Sequence, residues 1–327
     1  MDLAIDNPTS MEKINNYTKN KSPTVDICAK IEIEVYFGGS EPLLNWELLK
    51  KVVRYCLNSL GSQFEFTFST NTNLGLVDAA KAKFLGKYKF MVTTSLDGPA
   101  QVNDKVRRLA SGAGTYQQII NGWDNIAKYY QKVEWFCLTI TEDNIDGIND
   151  DFFDFLAKRG IKSCSFEPDI INPLSRDPGE IVGALLKFKK MGSERGITVG
   201  GMWDKPTKNL FEPNVRKRMF DCSAFVGRGI SVSPSGDILL CSYSGTKIGK
   251  INELDQLFQS EKFRSCILSR AIGNIEACKG CEIEGQCLGG CFITSEYGQY
   301  VKSDNAFQYR CEIYRQATRA LLEEALT

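Results

Sequence analysis

Seven of the eight cysteines in the last third of the chain form one pattern, which leaves out Cys266. Four of them fall within the fourteen-residue segment CKGCEIEGQCLGGC, residues 278–291. The full set is Cys222, Cys241, Cys278, Cys281, Cys287, Cys291 and Cys311. Thiolates favour zinc or iron–sulfur clusters, so this density of cysteines predicts a metal site.

The spacing of these cysteines bears on which metal they bind. Structural zinc usually takes paired Cys-x2-Cys knuckles, and only Cys278 and Cys281 have that spacing. Iron–sulfur clusters accept uneven spacing, and the small residues Gly289 and Gly290 would let backbone amides approach cluster sulfurs. Iron–sulfur ligation is therefore the prediction, and a structural zinc module is the alternative.

The composition excludes several classes of chemistry. The 327 residues are 43% hydrophobic and 24% charged, with 40 Lys plus Arg balancing 40 Asp plus Glu. With this balance the chain has no net positive charge that would attract nucleic acid or an anionic membrane. The absence of histidine removes imidazole bases and zinc sites that use histidine. Thiolates, carboxylates, Lys, Tyr or a cofactor must do any chemistry here.

The start of the sequence predicts a cytoplasmic protein. MDLAIDNPTS has no basic segment followed by an apolar run, so we expect no secretory signal. No run of eighteen apolar residues is long enough to span a bilayer. In a reducing compartment, clustered cysteines are more often metal ligands than disulfides.

The first two thirds of the chain alternate strand-like and helix-like patterns. Residues with a period of two predict strands at 31–37, 64–70, 88–97, 133–141 and 161–169. Residues with a helical period predict helices at 43–60, 75–86, 115–130, 150–160 and 179–196. This rhythm predicts an α/β fold with parallel strands, either an open doubly wound sheet or a barrel.

The rhythm stops near residue 205, where we place a domain boundary between residues 1–205 and 206–327. The segment 205–214 reads as a loop, and only 306–326 reads as a long helix in the second domain.

The cysteine pattern resembles a known family. Cys222-x13-Gly236-x4-Cys241, followed by the Cys-x2-Cys-x5-Cys-x3-Cys run and Cys311, is similar to the signature of SPASM domains. These domains follow the catalytic domain of radical S-adenosylmethionine (SAM) enzymes, many of which modify peptides or proteins. The resemblance implies an outer [4Fe–4S] cluster on Cys278, Cys281, Cys287 and Cys311. It implies an inner cluster on Cys222, Cys241 and Cys291, whose remaining iron is open or is bound by Cys266 or Cys164.

Segments of the first domain resemble the same family. YFGGSEPLLNW at 36–46 is similar to the Gly-Gly-Glu-Pro motif of the radical SAM barrel. STNTNL at 69–74, SLDGP at 95–99 and TITEDN at 139–144 are similar to the segments after later strands. The resemblance implies a partial (β/α)6 barrel of TIM type. It also implies that S-adenosylmethionine contacts Gly39, Ser40, Glu41 and Pro42.

Two acids in these segments each have a functional and a structural interpretation. Glu41 either supports the S-adenosylmethionine site or is an ordinary acid at a helix start. Asp97 either is a site acid at a strand end or forms the turn before Gly98 and Pro99.

One element of the family pattern is missing. Radical SAM enzymes hold their catalytic cluster with a Cys-x3-Cys-x2-Cys loop after the first strand. Before Tyr36 this sequence has only Cys28. We therefore expect an incomplete barrel without the first strand, in which residues 31–37 form a sheet edge. Whether the chain is an enzyme stays open on this ground.

The resemblance implies a relative of peptide maturases that modifies a ribosomal peptide or protein by radical chemistry, with an electron donor as a further partner. Ser242 stands where sulfatase-maturing members carry an aspartate, so maturation of other peptides ranks above sulfatase maturation. One alternative is a catalytically inactive iron–sulfur protein that binds peptides or transfers electrons. The other is a zinc-stabilised binding protein. We expect neither nucleic acid nor a membrane as a partner.

Overall fold

A parallel six-stranded sheet forms the first part of the molecule. The computed structural model describes residues 30–130, 133, 135–211, 219–226, 229–241, 243–244, 246–296 and 305–326. The strands are β1 (Ile31–Phe37), β2 (Phe64–Asn71), β3 (Met91–Ser95), β4 (Trp135–Ile140), β5 (Ser163–Pro168) and β6 (Thr198–Gly200). They lie side by side in sequence order, and all neighbours are parallel. The predicted α/β fold with parallel strands is confirmed.

Helices connect these strands, as parallel pairing requires. They are α1 (Trp46–Tyr55), α2 (Ala79–Lys87), α3 (Ala100–Val106), α4 (Tyr116–Tyr129), α5 (Asp150–Lys158), α6 (Pro178–Ser193) and α7 (Lys205–Phe211). Two of them end as their sequences predict: Gly160 after α5 and Gly196 after α6 have φ of +78° and +66°. Glycine adopts this left-handed backbone without the strain that other residues incur.

One face of the sheet packs against the helices to form the main core. Alternate residues of β4 and β5 point to that face, and the rings of Phe136 and Phe166 lie 6.4 Å apart there. Phe166 also contacts Phe188 of α6 at 5.7 Å between ring centroids. Both Phe136 and Phe166 are fully buried.

β1 is the least covered strand of the sheet. Among the described residues it pairs with β2 alone. Ile31 and Tyr36 are 62% and 55% exposed. Charged residues such as Glu32 and Glu34 are typical of strands that are not paired on both sides.

Three elements of the first part differ from the sequence prediction. Helix α3 was not predicted at all. The short strand β6 was not predicted either, because three residues carry too little periodicity. The prediction of a loop at 205–214 is wrong over residues 205–211, which form α7. Pro206 lies in the first turn, where proline is tolerated, and Asn209 Nδ2 donates to the Gln286 main-chain oxygen at 2.7 Å.

The second part of the chain has short elements. A three-stranded antiparallel sheet contains β7 (Ser231–Val232), β8 (Asp237–Leu239) and β9 (Lys247–Lys250). The helices are α8 (Leu254–Leu257), α9 (Glu261–Leu268), α10 (Glu284–Cys287), α11 (Ile293–Glu296) and α12 (Ala306–Leu326). No helix in the described residues is long and apolar enough to cross a membrane.

The C-terminal helix α12 matches the predicted range 306–326. It packs on α6, and Ile313, Ala317 and Leu321 join the main core of the first part. Their spacing of four residues keeps them on one face of the helix. The other end of α12 carries Arg310 and Cys311, so this helix links the sheet to the cysteines.

Candidate functional site

The turn that follows β1 is organised by the carboxylate of Glu41. Its Oε1 accepts hydrogen bonds from the Leu43 amide at 3.0 Å and from Thr72 Oγ1 at 2.8 Å. Its Oε2 accepts one from the Asn73 amide at 2.9 Å. Glu41 therefore caps the short 3-10 helix Pro42–Asn45 and ties the end of β1 to the end of β2.

The residues predicted to contact S-adenosylmethionine form this same turn. Gly39 has φ of +115°, a backbone conformation that favours glycine. Gly39 and Ser40 are exposed, and Glu41 and Pro42 are half-buried. Their role in binding stays a prediction. The contact from Thr72 was not predicted, because sequence alone does not pair a residue after β2 with one after β1.

A second network joins the ends of β3 and β4 around Asp97. The Asp97 carboxylate pairs with Arg107 Nε at 2.6 Å and accepts from the Thr139 amide at 3.0 Å. The buried Asn144 side chain donates to the main-chain oxygens of Asp97 and Thr139 at 3.2 and 2.7 Å. Asn103 Oδ1 accepts from the Asp97 amide at 3.1 Å. Both Asp97 carboxylate oxygens have partners, so this acid joins the end of β3 to α3 and β4.

The face of the sheet opposite the main core is polar. Alternation along the strands places there the side chains of Glu34, Tyr36, Ser69, Thr93, Cys137, Thr139, Ser165 and Glu167. Ser69 donates a hydrogen bond to Glu34, and Ser165 donates one to Glu167 at 2.8 Å. Sequence reasoning missed this face. Reading the polar half of each predicted strand together would have found it.

Glu167, near the end of β5, is an acid of this face that has one carboxylate oxygen without a hydrogen-bond partner among the described residues. Its Oε1 accepts from Ser165 Oγ and, at 2.7 Å, from the Met202 amide. Its Oε2 is buried and has no hydrogen-bond partner among the described residues. Burial raises the pKa of Glu167 to about 7, because desolvation disfavours the charged carboxylate.

Four of the predicted ligands surround one cavity of about 230 Å³. Cys278 and Cys281 lie on neighbouring turns, Cys287 ends α10, and Cys311 lies on α12. Arg310 and Tyr314 also line this cavity. The fold thus brings together the four cysteines that the family resemblance assigned to one cluster.

The donor set and the space fit an iron–sulfur cluster. In the described residues, no group of three or more His, Cys, Asp or Glu side chains lies close enough to hold a single metal ion. A tetrahedral zinc site would draw four sulfurs to about 2.3 Å from one ion, whereas these thiols enclose a cavity. Burial raises the pKa of Cys287 to about 12, so a thiolate there needs a compensating metal charge.

The other three predicted ligands lie together around a second, smaller core. Cys222, Cys241 and Cys291 all pack against this core, and Cys266 packs against it as well. Cys164, by contrast, is 1% exposed in the main core under the sheet. Of the two candidates for the remaining inner ligand, only Cys266 shares a core with the other three.

A groove of about 800 Å³ lies between two of these cysteines and the sheet. Cys222 and Cys241 line one wall, and Glu34 and Tyr36 of β1 line the other. The segment 229–232 completes the wall. The groove is therefore shared between the polar face of the sheet and the cysteine-rich region. Cys28 and Ser242 lie outside the described residues.

Comparison with known proteins agrees with this geometry. Residues 25–158 match the family model of the radical SAM superfamily. The radical SAM cyclopropyl synthase TigE of Paramaledivibacter caminithermalis is 26% identical over 89% of this chain, which spans 61% of that protein's length. A cysteine-type anaerobic sulfatase-maturating enzyme of Clostridium novyi is 26% identical over 78% of the chain and 72% of the relative.

Solved structures share the fold. "Native anSMEcpe with bound AdoMet" has a TM-score of 0.69 and 19% identity, covering 91% of this chain and 86% of the other. The same protein "with bound AdoMet and Cp18Cys peptide" has a TM-score of 0.68, with the same identity and coverage. The solved structures show the shared fold, and the family match together with the relatives shows a radical SAM domain at residues 25–158 of this chain.

Proposed function

We propose that the chain is a radical SAM/SPASM-type protein that acts in the modification of a ribosomal peptide or protein. The observation that carries this proposal is the cavity enclosed by Cys278, Cys281, Cys287 and Cys311. In this proposal they hold an outer [4Fe–4S] cluster, and Cys222, Cys241 and Cys291 hold an inner one. Such clusters supply single-electron transfer when bound.

In the proposed architecture the sheet is a partial barrel. Its strand order β1 to β6, without reversal, supports this proposal, because an open doubly wound sheet reverses its strand order at a switch point. The turn Gly39–Pro42 would then lie at the carboxyl ends of the strands, where barrel chemistry gathers. The described residues 30–211 hold no Cys-x3-Cys-x2-Cys loop, so we assign no step of S-adenosylmethionine cleavage to them.

The proposed substrate site is the groove between β1 and the inner cysteines. Its volume suits several residues of an extended peptide, and it combines apolar and polar walls. Ile230 and Val232 are exposed on one side and would contact apolar side chains. Tyr36 and Glu34 on the other side would accept or donate hydrogen bonds. An extended peptide here would reach both the sheet and the inner cysteines.

Glu167 is the proposed proton-handling group on the polar face. Its free Oε2 and its pKa of about 7 suit a carboxyl group that takes up or releases a proton near neutrality. No other acid named on this face has an unpartnered, buried oxygen among the described residues.

The experiment is an anaerobic assay with reductant, S-adenosylmethionine and candidate peptides. Production of 5′-deoxyadenosine by a chain that holds iron and sulfide would support an enzyme. The variant C311A should lose outer-cluster iron, while C164A, a buried cysteine of the main core, should keep it. A chain that holds no iron after reconstitution with an excess of iron and sulfide would contradict the proposal.

A second candidate is a non-catalytic iron–sulfur protein that binds a peptide or passes electrons to a partner. The four-cysteine cavity suits this function equally well, because it requires a cluster but no cleavage of S-adenosylmethionine. It predicts the same iron and the same peptide binding, without 5′-deoxyadenosine. Detection of 5′-deoxyadenosine above a protein-free control would exclude it.

A further inference from the structure

A buried arginine lies against the four-cysteine cavity. Arg310 is 3% exposed. Its Nη1 donates to Thr294 Oγ1 at 2.6 Å and to the Cys291 main-chain oxygen, and its Nη2 donates to the Gly289 main-chain oxygen at 3.1 Å. These bonds fix the guanidinium between the loop that leads to Cys291 and helix α12.

No carboxylate balances this charge in the described part of the chain. A buried cation without a counter-charge is strongly unfavourable in a folded protein. Besides its neutral hydrogen-bond acceptors, Arg310 has Cys311 Sγ at 3.9 Å from Nη2 and the rings of Phe307 and Tyr314, whose centroids are 4.9 and 5.6 Å from the guanidinium carbon. A negatively charged group bound by the cysteines of the cavity would therefore balance the guanidinium.

A second buried arginine converges on the same loop. Arg270 is 4% exposed, and its Nη2 lies 3.4 Å from the Gly289 main-chain oxygen. The loop itself, Leu288 to Gly290, has three consecutive left-handed residues with φ of +56°, +77° and +57°. A side chain on Gly290 would approach the Arg310 guanidinium carbon to 3.2 Å. The loop thus has the shape that admits Arg310 beside the cysteines.

We propose that Arg310 supplies the fixed positive charge that sets the reduction potential of the cluster held by Cys278, Cys281, Cys287 and Cys311. This inference rests on the proposed function, because it requires a cluster in that cavity. Reduction adds one electron to the cluster and makes it more negative. A buried cation next to its ligands stabilises that form, and so makes the potential more positive.

The test uses the full chain, reconstituted with iron and sulfide without oxygen. Iron and sulfide are measured first, and their absence from the wild-type chain would contradict the proposed function itself. The potential is then measured by a redox titration followed by electron paramagnetic resonance. In R310Q we expect the equilibrium constant for reduction of the cluster to fall by about tenfold. For one electron, this is a shift of about 59 mV to a more negative potential.

The matched control is R319Q on the same helix. Arg319 pairs with Glu282 at 2.6 Å, and its side chain is 62% exposed, so its charge is screened by solvent. In R319Q we expect the equilibrium constant for reduction of the cluster to stay within about twofold of the wild-type value. An R310Q protein with full iron and an unchanged potential would overturn the proposal.

Two further variants decide the matter if R310Q does not hold its cluster. T294D places a carboxylate where Arg310 already donates a hydrogen bond, so it should neutralise the charge and shift the potential in the same direction. An unchanged potential in T294D would overturn the proposal. Loss of iron from R310Q and T294D but not from R310K would support a requirement for the charge. Equal loss from all three would show a packing role instead.

Discussion

The sheet region, residues 30–211, and the cysteine-rich region, residues 219–296, are stabilised in different ways. The sheet buries a continuous apolar core that includes Trp123, Phe136 and Phe153. The cysteine-rich region has strands of two to four residues and two small cores. Most of its thiols pack against these small cores, whereas Cys281 and Cys287 pack against the main core. Small regions with limited cores usually depend on a metal or another cross-link.

This difference indicates that different interactions stabilise the two regions. Apolar burial accounts for the sheet, and hydrogen bonds to the Glu41 carboxylate hold the turn that follows β1. The positions of the cysteines instead depend on loops with little apolar support, and those loops would gain stability from a bound cluster. The long helix α12 belongs to both, because Ile313 and Leu321 join the main core while Cys311 lines the cavity.

The largest effect should come from removing the metal. We expect a chelator to raise amide hydrogen exchange across residues 231–296 by about a hundredfold or more, because in such regions metal binding provides folding free energy. Exchange in β2, β4 and β5 should change little. Equal loss of protection in both regions would contradict a separate source of stability for each.

The next effect compares two buried cysteines. C287A should remove the iron of one cluster, because Cys287 lines the four-thiol cavity. C164A should keep all iron and lower the free energy of unfolding by about 1 kcal/mol, through a small cavity under the sheet. Iron analysis and urea unfolding measure the two outcomes. Similar iron contents in both variants would contradict the claim that Cys287 binds iron and Cys164 only fills the core of the sheet region.

A third test uses the pH dependence of stability in the sheet region. Because the pKa of Glu167 is raised to about 7, the folded state binds more protons than the unfolded state between about pH 4.5 and 7. The contribution of Glu167 to stability is therefore present below this range and is lost as the pH rises through it. Between pH 5 and pH 8, the free energy of unfolding of E167Q should rise by about 2–3 kcal/mol relative to that of the wild-type chain.

Urea unfolding at each pH measures this difference, and the effect should leave the iron content unchanged. The conservative amide keeps the size of the side chain and removes its titration. Parallel stability curves for E167Q and wild type across this range would contradict the assignment of a buried, titrating carboxyl.

The smallest effect concerns the link between β3 and β4. D97N should lower the free energy of unfolding by about 1–2 kcal/mol, because it weakens charge-assisted hydrogen bonds to Arg107 and the Thr139 amide. The control D143N changes an exposed aspartate in the neighbouring turn and should have little effect. Equal stabilities for D97N and D143N would assign Asp97 no structural role.

Much of the sheet could be predicted because its elements are long and periodic. Alternating Phe64, Phe66 and Phe68 predicted β2, and the apolar stripe of α12 predicted that helix over its full range. The strand β6 is too short for such a signal. Helix α7 contains Pro206, and its hydrogen bond to Gln286 comes from a segment far away in the sequence, so local pattern did not indicate it.

The candidate site was predictable to a different degree. The cysteine spacing and the family resemblance it carries were enough to group Cys278, Cys281, Cys287 and Cys311. The roles of Glu167 and Arg310 were not visible, because each depends on which face of an element is buried and what lies opposite. Unpaired buried atoms and charge balance are properties of the folded chain, and a linear motif does not encode them directly.

The central claim is that the cysteine-rich region holds iron–sulfur clusters, and elemental analysis tests it most directly. Iron and acid-labile sulfide should be measured in the anaerobically reconstituted chain and in a variant with Cys278, Cys281, Cys287 and Cys311 changed to alanine. The account predicts equal iron and sulfide in the wild-type chain, and a loss of about four of each per chain in the variant. Zinc in place of iron, or the same iron in both proteins, would contradict it.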